Sequence, residues 1–92
     1  MKVVGITTDG QQVVTGVFDI TTSIGLPLEM ILEGLQKKNM VVDWIDFYQC
    51  GIKNHWKVKT IMIRIETTVE EVYGKDYCKE VMKRLKHYLN KG

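Results

Sequence analysis

No stretch of the 92 residues approaches the ~18 consecutive apolar side chains that a membrane-spanning helix needs. The opening segment, MKVVGITTDG, has one lysine and an apolar patch broken by Gly5 and two threonines, so a secretory signal is not expected. Cysteine is scarce: Cys50 and Cys78 are too few for a disulfide framework, and as free thiols they suit a reducing compartment such as the cytoplasm. Repeats, low-complexity tracts and Pro- or Ser-rich linkers are absent, which leaves one globular domain spanning residues 1–92. Nor is there a glycine-rich phosphate loop, because Gly5, Gly10 and Gly16 sit where a hairpin is expected.

The chemistry of a metal or catalytic centre is equally thin. Two cysteines and two histidines invite a zinc site, but the paired ligand spacings are missing. Cys78 and His87 lie nine residues apart on one expected helix, and at ~100° per residue they fall on opposite faces. Cys50 and His55 form no catalytic set without a third, orienting residue. Asp43 and Asp46 read better as helix-capping carboxylates than as an acid–base pair. The expectation is therefore a protein with no catalytic residues, no metal and no cofactor.

What is present is mostly amphipathic helix. Apolar residues make up 45% and charged residues 26%, enough to build a core without staples. KVVGITTDGQQVVTGVFDI reads as a β-hairpin around Asp9-Gly10, a pair that favours a tight type I′ turn. That register sets Ile6 opposite Val13 and Val4 opposite Thr15. The other face carries Val3, Val14 and Phe18 beside Gly5 and Gly16, and is expected to be covered by a helix.

PLEMILEGLQKK, from Pro27 to Lys38, follows helical spacing through Leu28, Ile31, Leu32 and Leu35, with Asn39 as a left-handed terminator. From Asp43, a good N-cap, DWIDFYQCGIK gathers Trp44, Phe47, Tyr48 and Ile52 on one side. Trp56 is expected to close the next turn, mostly buried. Residues 56–66 admit two readings. Ile61, Ile63 and Ile65 alternate as in a strand, yet Val58, Ile61, Met62, Ile65, Val69 and Val72 form a helical stripe. The strand would put Lys57 and Lys59 on the apolar face, so a helix over 58–73 is expected, ended by Gly74. A last helix follows, burying Tyr77, Cys78, Val81, Leu85 and Tyr88 or Leu89. The fold class is α+β and helix-rich: an N-terminal β-hairpin followed by about four helices in a small bundle.

Two surfaces stand out. From Lys75 onward there are six basic residues against two acidic ones, a balance of +4, whereas the first 74 residues carry seven basic and nine acidic, a balance of −2. Lys75, Lys79, Lys83 and Lys86 recur every three or four residues, so a helix gathers them into one face suited to an acidic partner. The second surface is Lys57, Lys59, Thr60 and Arg64, at the start of the later member of a helix pair joined by Asn54-His55-Trp56. That outline resembles a helix-turn-helix, whose second helix meets nucleic acid with its N-terminal residues.

GLPLEMIL, DWIDFY, GIKNHW and VYGKDY together resemble a set of small proteins from phages and prophages of Gram-positive bacteria, over most of the chain. The resemblance implies a phage-type accessory protein in the cytoplasm of a bacterial host. Small proteins of this kind bind and inhibit host proteins, including defence nucleases, or regulate transcription. Members sometimes carry an alanyl-tRNA synthetase label, which is not carried over, because nothing in 92 residues would hold ATP, alanine and a tRNA end. The leading expectation is a non-enzymatic binding protein acting on a host or phage protein through Lys75, Lys79, Lys83 and Lys86. The alternative is a nucleic-acid-binding regulator using Lys57, Lys59, Thr60 and Arg64.

Overall fold

The computed structural model describes residues 1–91 and has eight elements. In chain order these are β1 (Lys2–Ile6), β2 (Gln12–Thr15), α1 (Val17–Ser23), α2 (Leu28–Lys37), β3 (Met40–Val42), α3 (Trp44–Lys53), α4 (Val58–Tyr73) and α5 (Lys75–Lys91). The α+β, helix-rich class and the N-terminal hairpin stand. Three details of the sequence reading do not.

The hairpin is one residue out of the expected register beside the turn and two beyond the bulge. Gly10 N–H donates to the Thr7 carbonyl (3.0 Å), and Thr7 N–H donates to the Gln11 carbonyl (2.8 Å). Gly10 alone in the loop takes a left-handed φ of 85°, as in a three-residue loop rather than a two-residue type I′ turn. Ile6 therefore faces Gln12, Val3 faces Val14, and the register shifts between Val3 and Gly5, leaving Val4 as a bulge. The Thr7 side chain adds the local reason, since its hydroxyl accepts the Gln11 N–H at 3.0 Å.

The second correction is at Gly16, where a φ of 85° turns the chain out of the sheet and Val17–Ser23 become helical. Phe18, expected on the sheet, is instead a fully buried residue of α1. It meets the rings of Phe47 (5.3 Å) and Trp56 (5.1 Å) edge to face. The third correction is β3, unforeseen, which pairs parallel to β2 through Gln12–Met40, Val13–Val41 and Val14–Val42 and places β2 at the centre of the sheet. The bundle accordingly has five helices among the described residues.

Only one side of the hairpin is protected. Val14 is 2% exposed, whereas its neighbour Val3 is 46% exposed, so the expected cover reaches β2 and stops before β1. Elsewhere the helices form as their spacing dictates. Asp43 caps α3 by accepting the Asp46 N–H (3.1 Å), and Asn39 is left-handed after α2. Residues 58–73 are helical, with Ile61, Ile65 and Val69 fully buried and Gly74 ending the run. The core is continuous from Val14 and Phe18 through Leu32 and Phe47 to Ile61, Ile65 and Leu85.

Candidate functional site

Helix α5 doubles back along α4, held by apolar packing and by the Cys78 thiol, which donates to the Glu66 carbonyl at 3.3 Å. Its buried side is Cys78, Val81, Met82 and Leu85. Steps of three and four residues carry Lys75, Lys79, Lys83 and Lys86 onto the adjacent exposed side. All four of these lysines line one open groove of about 950 Å³ between α5 and α4. Glu66 and Glu70, one turn apart, form the α4 wall, while Cys78 and Met82 lie at the floor. Five basic and two acidic side chains thus meet in the groove, with Arg84 the fifth cation.

The floor is chemically quiet. Burial, and then the Glu66 and Glu70 charges, push the Cys78 thiol up, which keeps it protonated and a poor nucleophile. Met82 is 8% exposed and offers a polarisable, adaptable surface to an apolar side chain. An apolar floor thus runs between a lysine wall and a glutamate wall. Cys50, the second free thiol, is also pushed up, by burial first and then by Asp46 and Asp19. Its Sγ lies 3.8 Å from Asp46 Oδ1, and the other Asp46 oxygen accepts the Gly16 N–H at 3.1 Å, so this carboxylate pins the hairpin exit to α3.

Of the helix-turn-helix residues, Lys57 at the N-cap of α4, Thr60 and Arg64 recur at helical spacing along one side, and Lys59 is turned away from them. Thr60 and Arg64 share a shallow groove with Glu29 of α2. Lys57 and Lys59 do not line that groove, and Lys59 and Arg64 are five residues apart, about 140° around α4. The α3–α4 corner itself is well made. His55 is left-handed (φ 66°), Trp56 N–H donates to the Gly51 carbonyl (3.0 Å), and Gly51 lets α4 approach so closely that an added Cβ would stand 2.6 Å from Ile61 Cδ1. Trp56 closes the turn against Phe18 as expected, but is half-buried rather than mostly buried.

Among the described residues no cluster of three metal-ligating side chains occurs, and no helix is long and apolar enough to cross a membrane. The glutamate wall escaped sequence reasoning, because only the doubling back of α5 sets Glu66 and Glu70 opposite the lysines. Their spacing of four residues on α4 was the available signal. No family model, curated protein or solved structure matches this chain.

Proposed function

We propose that the protein is a non-enzymatic binding protein that seats an acidic segment of a partner protein in the groove between α4 and α5. The observation supporting this reading is the convergence of Lys75, Lys79, Lys83 and Lys86 on one groove with an apolar floor. Two further features favour a protein over a nucleic acid. Glu66 and Glu70 repel a phosphate backbone, and the Met82 floor gives an apolar side chain somewhere to bury. With the resemblance to phage accessory proteins, the partner is a host protein in the bacterial cytoplasm whose activity is modulated by occupancy.

The test is a capture from host lysate with the wild-type chain and with a Lys79→Glu, Lys83→Glu, Lys86→Glu variant, each with and without nuclease. The partner should be retained after nuclease and lost from the variant, with little change in thermal stability, because exposed charges contribute little to folding. Capture that survives charge reversal would sink the reading.

The second reading, a nucleic-acid-binding regulator, draws support from the left-handed His55 and the tight Gly51–Ile61 contact at the α3–α4 corner. It predicts loss of the captured species on nuclease treatment and a steep fall in affinity with salt, sensitive to Lys57, Lys59 and Arg64. The position of Lys59, about 140° around α4 from Arg64, weighs against it.

A further inference from the structure

A second cavity, away from the groove floor, lies where the sheet meets α3 and α5. It measures about 120 Å³ and is walled by Val13, Val42, Ile45 and Val81. Five polar side chains also reach it: Thr7, Asp43, Trp44, Tyr77 and Arg84. Trp44 is 6% exposed, and its indole Nε1–H is buried without a hydrogen-bond partner among the described residues. A buried donor left unmade costs about 1–3 kcal/mol, so an orphan at a cavity wall marks a place where an acceptor belongs. The Tyr77 phenol oxygen lies near enough to feel the indole N–H as a weak donor, but the geometry falls short of a full hydrogen bond between them.

The chemistry of the walls narrows the ligand. An indole N–H only donates, so the group facing it must accept. The Arg84 guanidinium, on the exposed side of the cavity, presents a donor fork that matches a carboxylate. Asp43 also lines the cavity; its Oδ1 accepts the Asp46 N–H (3.1 Å), and its charge offsets part of the attraction that Arg84 exerts on an anion. The N-terminal end of the ten-residue α3, where Trp44 and Ile45 sit, adds partial positive charge. Burial, the largest effect on Tyr77, keeps its phenol protonated and able to donate as well. The remaining wall is aliphatic. The volume is comparable to cavities that take a single benzene, so it admits roughly four to six non-hydrogen atoms.

We propose that this cavity binds a short-chain carboxylate, with one oxygen accepting from Trp44 Nε1–H, the other on the Arg84 guanidinium, and the alkyl tail against Val42, Ile45 and Val81. The site shares Arg84 with the groove, but neither needs the other to be occupied.

Titration with butyrate, followed by the Trp44 indole N–H resonance, tests this. Trp56→Phe identifies that resonance, because the chain has two tryptophans. Butyrate should move it saturably, where sodium chloride at equal ionic strength does not. Arg84→Met should weaken binding roughly tenfold or more, as expected for a lost charge-assisted hydrogen bond. Lys38→Met, at an exposed lysine outside the cavity lining, should leave binding unchanged. Octanoate, too long for the volume, should fail to compete. In Trp44→Phe, butyrate should no longer raise the melting temperature. A linear, non-saturating response, an equal response to chloride, or equal losses from Arg84→Met and Lys38→Met would overturn the proposal and leave the cavity to solvent. Octanoate binding as tightly as butyrate would overturn it also.

Discussion

Gly51 and Gly34 are both helix-interior glycines, yet their surroundings differ completely. An added Cβ at Gly51 would stand 2.6 Å from Ile61 Cδ1 and 3.0 Å from Ile61 Cγ1. Ile61 is 0% exposed and stiff at its branched Cβ, so it has nowhere to move. At Gly34 a Cβ would meet nothing within 4 Å. Gly→Ala gains about 1 kcal/mol of helix propensity at either position. Gly34→Ala should therefore raise the urea midpoint, by about 0.5–1 kcal/mol in stability. Gly51→Ala should lower it by about 1–2 kcal/mol, because overpacking outweighs the propensity gain. Equal behaviour of the two variants would mean that the α3–α4 contact is looser than described. The thiols give a second residue-level expectation. Both are pushed up, and Cys78 is buried while Cys50 is half-buried. With a thiol reagent at neutral pH, Cys50 should react more slowly than a free thiol, and Cys78 only as the chain unfolds.

Within the hairpin, the two strands contribute unequally. Val14 on β2 is 2% exposed, and truncation to Ala should cost about 2 kcal/mol. Ile6 on β1 is 70% exposed, and Ile6→Lys should change stability by less than about 0.5 kcal/mol while blunting the open sheet edge. A large loss at Ile6 would show that β1 is covered in solution. At the other end of the sheet, α4 is fastened to β3 by the Tyr73 hydroxyl, which donates to the Met40 carbonyl at 2.9 Å. Burial first, and then the neighbouring Tyr77, push the Tyr73 phenol up to about 12. An unfolded tyrosine ionises near 10, so the unfolded state sheds its proton first as pH rises. The stabilisation is thus fully present below about pH 10 and disappears as pH climbs through 12, a loss on the order of 1 kcal/mol once solvent screening of this half-buried phenol is allowed for. Urea unfolding across this alkaline range should show that decline in the wild type and a shallower one in Tyr73→Phe. The variant should already be about 1 kcal/mol weaker at neutral pH for want of the hydrogen bond.

At the scale of the whole molecule, the charge is divided rather than large. The chain carries only +2 net, but the last helix concentrates the basic residues along one groove. Such a patch steers an acidic partner at low salt and loses reach as salt shortens the Debye length. On the proposed reading, the opposing Glu66 and Glu70 penalise a continuous polyanion more than a segment of alternating character. Replacing both with Gln should raise affinity for a single-stranded oligonucleotide and steepen its salt dependence, as measured by fluorescence anisotropy. An unchanged oligonucleotide affinity would remove the electrostatic argument for a protein partner.

Most helices were legible along the chain because their apolar residues recur at helical spacing and their ends carry capping chemistry, as at Asp43, Asn39 and Gly74. The lysine face of α5 was legible for the same reason, since periodicity alone places Lys75, Lys79, Lys83 and Lys86 together. Local pattern could not reveal the role of Met40–Val42. A three-residue strand has too few side chains to show a period, and its partner β2 lies some 28 positions away in sequence, as the Gln12–Met40 pair shows. The same limit applied to Phe18, which continues the apolar run of β2 but is drawn into α1 by the ring cluster with Phe47 and Trp56. The groove's acidic wall and the Trp44–Arg84 cavity are products of packing. They exist only where α4 meets α5 and where the sheet meets α3 and α5, and the facing residues are too far apart in sequence for any local period to join them.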